Sequence, residues 1–185
     1  ERFVEMLPLG GHPGGPTNAL HQAAVQGHSA LKEALKTAAM EDIVGAEGEN
    51  SLLHHTCRFY CPKETWMLLK VFPEEHLMKK NASGDTALHV ACSTGSSENI
   101  EALLQLVPPS ALVEANNKGS LPLHYLACSQ RAEKQLVEKI MDAMPEEALH
   151  KRTHKGHSVM HFASSGTKDV AEAILSRLGE ESLGW

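Results

Sequence analysis

The feature that most constrains this chain is a histidine that returns at a nearly fixed interval, each time closing a short apolar string. The strings are Asn18-Ala19-Leu20-His21, Ser51-Leu52-Leu53-His54, Thr86-Ala87-Leu88-His89, Leu121-Pro122-Leu123-His124 and Ser158-Val159-Met160-His161. Their histidines stand 33, 35, 35 and 37 residues apart. Gly84, Gly119 and Gly156 precede the last three by five residues, and the small residues Ala23, Ala91 and Ala163 follow three of them by two. Such a period belongs to a chain built from copies of one supersecondary unit. One unit cannot bury its apolar face alone, so neighbours stack and share a continuous core.

A second register lies between the strings. Ile100, Leu103, Leu104 and Val107 follow the i, i+3, i+4, i+7 spacing of an amphipathic helix. Val137, Ile140, Met141 and Met144 repeat it one unit later, with Leu68, Leu69 and Phe72 before and Ile174, Leu175 and Leu178 after. Each helix is expected to stop at Pro73, Pro108, Pro145 or Gly179, since proline cannot continue a helix and glycine commonly ends one. Acidic pairs follow three of these stops, at Glu74-Glu75, Glu146-Glu147 and Glu180-Glu181. Acidic residues in a first turn favour helix, so a short extra turn is expected there. The same cadence in Phe3, Val4, Leu7 and Pro8 marks 1–8 as the trailing half of a further unit, and the chain as a piece of something larger.

The strings Thr86-Ala87-Leu88-His89-Val90-Ala91 and Asn18-Ala19-Leu20-His21-Gln22-Ala23-Ala24-Val25-Gln26-Gly27-His28 resemble the ankyrin repeat, whose signature is T-P-L-H-x-A at a period near 33. The resemblance covers about residues 15–184. It implies an all-α repeat solenoid of stacked helix-turn-helix ankyrin repeats with short β-hairpin loops. The expected layout is a single domain, 1–185, with the half-repeat at 1–8 and repeats at about 15–47, 48–82, 83–117, 118–154 and 155–184. Thr56 and Leu126 depart from the usual alanine, and the fourth repeat carries about two extra residues around Ser129–Gln135. A tetratricopeptide array is the rival at this period, but its tryptophan, glycine and tyrosine markers are absent.

Composition narrows the functional classes. The net charge of -6 offers no general attraction to phosphate backbones, so nucleic acid is not the expected partner. No apolar run approaches the roughly 20 residues that cross a bilayer, and no membrane is expected. Four cysteines are too few for a disulfide scaffold and favour an intracellular, cytoplasmic setting. No phosphate loop, dinucleotide fingerprint or nucleophile elbow is present, so no catalytic residues and no enzymatic activity are expected.

Twelve histidines invite a metal reading. The resemblance assigns His21, His54, His89, His124 and His161 to hydrogen bonds between the turn and the helix start. His154 and His157 are expected on an exposed hairpin with His161 buried below, which does not converge on a tetrahedral site. His54-His55-Thr56-Cys57 with Cys61 imitates a zinc spacing, yet Cys57 falls at the core position held by Cys92 and Ala24. No metal and no cofactor are expected.

What the resemblance implies is a protein-binding module whose concave surface is made by hairpin tips and first helices. Carried over by offset from each motif histidine, the implied contact residues include Arg58, Phe59, Asp85, Ser93, Asn117, Lys118, His154, Lys155 and His157, with Glu47, Asn50, Ser120, Ser129 and Ser165 at equivalent offsets. The tips turn from acidic at Glu47 and Glu49 to basic at Lys118, Lys151, Arg152 and Lys155. An acidic segment of a protein partner is therefore expected at repeats four and five, with Tyr125 and Phe162 adding apolar contact where they face the groove. The alternative is a scaffold or spacer docked within a larger chain or complex, suggested by apolar Leu183 and Trp185.

Overall fold

A computed structural model describes residues 19–59 and 61–179. The half-repeat at 1–8, Tyr60, and the Glu180-Glu181, Leu183 and Trp185 features lie outside the described residues. Among the described residues ten of twelve α-helices run in pairs: α1 (Ala19–Gln26) with α2 (His28–Leu35), α4 (Leu52–Arg58) with α5 (Pro62–Leu69), α6 (Ala87–Thr94) with α7 (Ser97–Leu104), α8 (Pro122–Cys128) with α9 (Lys134–Ala143), and α11 (Val159–Ala163) with α12 (Lys168–Leu178). Two short helices, α3 (Met40–Val44) and α10 (Glu146–Leu149), and the 3-10 turns Glu74–His76 and Pro109–Leu112 lie between pairs. The first helices α1, α4, α6, α8 and α11 each pack on the next, forming one continuous layer. Against it lies the layer of second helices, in which α5 meets both α2 and α7, and α9 meets α12.

The core is the seam between the layers. Leu31, Leu52, Leu68, Leu88, Ile100, Leu103, Leu123, Leu126, Val137, Ile140 and Ile174 are buried, along with the expected small residues Ala23, Ala91 and Ala163. Each large aliphatic side chain contributes roughly 2 kcal/mol on burial, and the buried residues of all five pairs form one continuous cluster. Thr56 fits the alanine position because its hydroxyl donates to the Leu53 carbonyl (3.2 Å) and accepts from Thr65 Oγ1 (3.0 Å). Cys57 and Cys92 are fully buried among these residues, and burial pushes the Cys57 thiol up to about 12, so it is inert packing material.

Several expectations change in detail. The second helices α5 and α7 stop four residues before Pro73 and Pro108, because the residues after Leu69 and Leu104 tighten into i→i+3 turns such as Val71 N to Leu68 O. The extra helical turn forms at Glu74–His76 and Glu146–Leu149, and also at Met40–Val44 and Pro109–Leu112. The anticipated β-hairpins are not paired strands: among the described residues the sole bridge joins Gly48 to Asn81, and the tips are tight turns. The longer connection in the fourth pair spans 129–133, where Gly95-Ser96 alone suffices in the third.

One polar group sits badly in this core. Asn99 occupies the third position of α7, where its backbone N–H is capped by Ser96 Oγ (3.3 Å). Its carboxamide is buried, with neither polar atom partnered among the described residues. The equivalent position of α12, capped the same way by Thr167, is the buried Val170. Asn99→Val is expected to stabilise the fold by about 1–2 kcal/mol, read as a higher urea midpoint at unchanged slope. A lower midpoint would show that the carboxamide is satisfied in solution.

Candidate functional site

The turns preceding the first helices are built from local side chains. Asn81 Oδ1 accepts from the backbone N–H of Ser83 and Asp85 (both 3.0 Å), and Asn116 Oδ1 accepts from Lys118 (2.9 Å) and Ser120 (3.0 Å). In the last turn Thr153 Oγ1 takes the His157 N–H at 3.2 Å. A glycine with φ near +74° closes the first two turns, a conformation that costs side-chain-bearing residues energy.

The turns are then joined to one another. Asn81 Nδ2 donates to Asn50 Oδ1 (2.9 Å) and Asn116 Nδ2 to Asp85 Oδ1 (2.7 Å). Along the backbone, Asn117 N donates to Ser83 O (3.1 Å) and His154 N to Lys118 O (2.9 Å). The result is a row of rigid turns in fixed register rather than independent loops.

The motif histidines tie this row to the helices. Ser51 N and Oγ meet His54 Nδ1 at 3.2 and 2.7 Å, and Thr86 N and Oγ1 meet His89 Nδ1 at 3.2 and 2.9 Å. On the far side of the ring, Nε2 donates to a carbonyl in the next repeat: His54 to Asp85 O (3.0 Å) and His89 to Ser120 O (3.1 Å). Because a carbonyl only accepts, Nε2 carries the proton and Nδ1 is the acceptor facing the backbone. Leu121 lacks a hydroxyl, so His124 Nδ1 takes the Leu121 N–H alone, at 3.1 Å. Burial holds His54, His89 and His124 well below the usual imidazole range, at about 4.

The row carries graded charge. Glu47 and Glu49 are exposed at one end, with Lys79 near enough to feel both, its Nζ donating to the carbonyls of Val44 (2.7 Å), Gly45 (2.5 Å) and Ala46 (2.6 Å) at the end of α3. At the other end Lys118, Lys151, Arg152, His154 and Lys155 are all exposed. Arg152 is oriented by donating from Nη1 to Gly156 O (2.9 Å).

Of the sequence-derived contact residues, Phe59, Asn117, Lys118, Arg152, His154 and Lys155 are exposed, and Arg58, Asp85, Ser93 and His157 are half-buried. The structure brings His154 against Lys118 and its glycine, and sets Lys118 close enough to Asp85 to favour the carboxylate against the burial that raises its pKa. Asp85 is committed to Asn116, Asn117 Nδ2 to the Ala82 carbonyl (2.9 Å) and Ser93 Oγ to the Val90 carbonyl (2.8 Å). Ser120 and Ser129 are buried and present nothing to a partner.

Tyr125 and Phe162 do not face a groove. Both are buried, their rings edge-on at 6.5 Å, and Tyr125 OH accepts from Asn116 Nδ2 at 2.9 Å. His161, expected beneath the last turn, is half-buried, with its ring 5.6 Å from that of His157. Among the described residues no three His, Cys, Asp or Glu side chains gather as metal ligands.

Phe59 is 50% exposed and rests on His55 (4.5 Å), which meets His21 edge-on (4.5 Å). Val25, 56% exposed, was missed, although it follows His21 by the same four residues that separate Arg58 from His54.

A family model described as ankyrin repeats (three copies) matches this chain over residues 20–112 and 53–146. The bovine SMC5-SMC6 complex localization factor protein 1 is 34% identical over 116 residues, covering 60% of this chain and 11% of that protein. Human Inversin is 27% identical over 161 residues, covering 85% of this chain and 15% of that protein. The chain thus spans a small part of the length of either relative. No helix among the described residues is long and apolar enough to cross a membrane.

Proposed function

The chain belongs to the ankyrin-repeat family, whose repeats are protein-interaction modules, and from that premise we propose that it binds a protein partner through the row of turns and the adjoining first helices, without catalysis of its own. The observation that carries this reading is the graded turn row: rigid, cross-linked by hydrogen bonds, and ending in five exposed basic or imidazole groups. Preorganised turns lose little entropy on binding, so their polar groups act at nearly full strength. The partner is an acidic segment engaging Lys118, Lys151, Arg152 and Lys155, with His154 beside them. Like charges in one row raise the local concentration of such a segment and speed its encounter. At the other end, Phe59 and Val25 offer the apolar anchor that the buried Tyr125 and Phe162 do not.

The test uses a fluorescent polyglutamate peptide as probe. Charge reversal by Arg152→Glu with Lys155→Glu is expected to weaken binding by about tenfold or more and to flatten its salt dependence. The same reversal at Lys32 of α2 and at Lys36, the residue after that helix, is the control. Equal loss in both variants would reduce the basic turns to a solvated edge.

A further inference from the structure

A second surface runs along the edge where the second helices end. Among the described residues six large apolar side chains are well exposed, and three belong to this edge: Met40 at 48%, Val71 at 49% and Leu106 at 46%. Val71 and Leu106 occupy the same structural position, each donating its N–H to the carbonyl three residues back, Leu68 and Leu103. Met40 and Pro109 open the short helical turns of their repeats, and exposed Pro108, Ala143 and Pro145 continue the series. The second helices α2, α5 and α7 pack side by side, and α9 packs on the Pro109–Leu112 turn. The apolar positions therefore line up as one ridge across four repeats. A run of exposed apolar side chains that recurs once per repeat is not the scatter expected of an ordinary solvated face.

The ridge has an acidic border. Glu41, Asp42, Glu74, Glu75, Glu146 and Glu147 are exposed on the short turns that follow it. Among the described residues Glu41, Glu74, Glu75 and Glu147 form no ion pair, whereas Glu146 meets Arg177 and His150. The nearby cations among the described residues are few: Lys36 is held by Glu33 (2.7 Å) and Arg177 by Asp142 and Glu146, and Lys70 stands beside Val71.

We propose that this edge docks a basic amphipathic helix of a partner chain, its apolar face on Met40, Val71, Leu106 and Pro109 and its lysines or arginines on the acidic border. Packed helices lie about 10 Å apart, so four repeats present about 30 Å of ridge, the length of a helix of about 20 residues. Apolar anchors at helical spacing against a flat ridge, with opposite charge at the rim, are what helix recognition uses. This surface is independent of the turn row, and its partner has the opposite charge.

The probe is a synthetic helix of about 20 residues with leucine at i, i+3, i+4 and i+7 and lysine elsewhere, followed by fluorescence anisotropy at physiological salt. Val71→Ser with Leu106→Ser, and separately Glu74→Lys with Glu75→Lys, are each expected to weaken binding by about tenfold. All four ridge-side residues are exposed, so melting temperatures are expected to stay at the wild-type value. On the unsubstituted chain, peptide binding is expected to slow amide exchange at 70–76 and 105–112. A scrambled peptide of the same composition binding equally well, a leucine–glutamate counterpart binding better, or exchange slowed at the turn row instead would each overturn the assignment.

Discussion

Unfolding of this domain is expected to become steeply easier as the pH falls from 6.5 to 4. His54, His89 and His124 each have a folded pKa of about 4, lowered from the ordinary 6.5 by burial. A depressed folded value means that the unfolded chain binds the proton more readily. The stability these groups contribute is therefore fully present above pH 6.5 and is lost as pH falls towards 4. Each shift corresponds to about 3 kcal/mol, comparable in sum to the whole stability of a domain of this size. The chemistry agrees with the sign: a second proton on Nδ1 would face the Ser51, Thr86 or Leu121 backbone N–H that it now accepts, setting donor against donor. Near pH 5, these three rings alone are expected to take up about three protons on unfolding, a slope approaching 4 kcal/mol per pH unit. Urea titrations across this window measure that slope directly. A flat profile between pH 6.5 and 5 would show that the rings are not held neutral.

The fold was legible in the sequence to the extent that each signal was local. The histidine strings, the small residues two positions on and the second-helix periodicity all fall within one unit, and the helices formed where they predicted. What was not legible depends on a partner about one repeat away. Asp85 and Asn117 read as free contact residues because nothing nearby claims them, yet Asn116 and the Ala82 carbonyl do, at separations of 31 and 35 residues. Lys79 makes the same kind of distant contact, closing the end of α3 33 to 35 residues back. Tyr125 and Phe162 turned inward because the position after the motif histidine faces the neighbouring first helix. His55, at that same position in the second pair, remains half-exposed beside Phe59.

A second large effect is expected at Gly84. Its φ is +74°, and a Cβ there would lie 2.7 Å from the backbone nitrogen of Asn117 and closer still to Asn117 Oδ1. That nitrogen is fixed by its bond to Ser83 O (3.1 Å), so the neighbouring turn cannot give way without breaking the row. Gly84→Ala is expected to cost about 3 kcal/mol, of which backbone strain is about 1 and the clash the rest. Gly156 separates the two terms, since its φ is +81° but nothing lies within 4 Å of a Cβ there. Gly156→Ala is expected to cost only about 1 kcal/mol. Denaturant unfolding of both variants checks the pair, and equal costs would mean that the turns are not mechanically coupled. Such coupling would hold the turns of successive repeats in one fixed register.

Protein binding at the turn row is tested most directly by an amide hydrogen-exchange footprint, taken on the whole chain with and without saturating acidic probe peptide. Binding at the row is expected to slow exchange at the backbone N–H groups of Lys118, Lys155 and Gly156 and their neighbours, while those of α5 and α12 exchange as before. Slowed exchange confined to the second helices, with the turns unchanged, would contradict it.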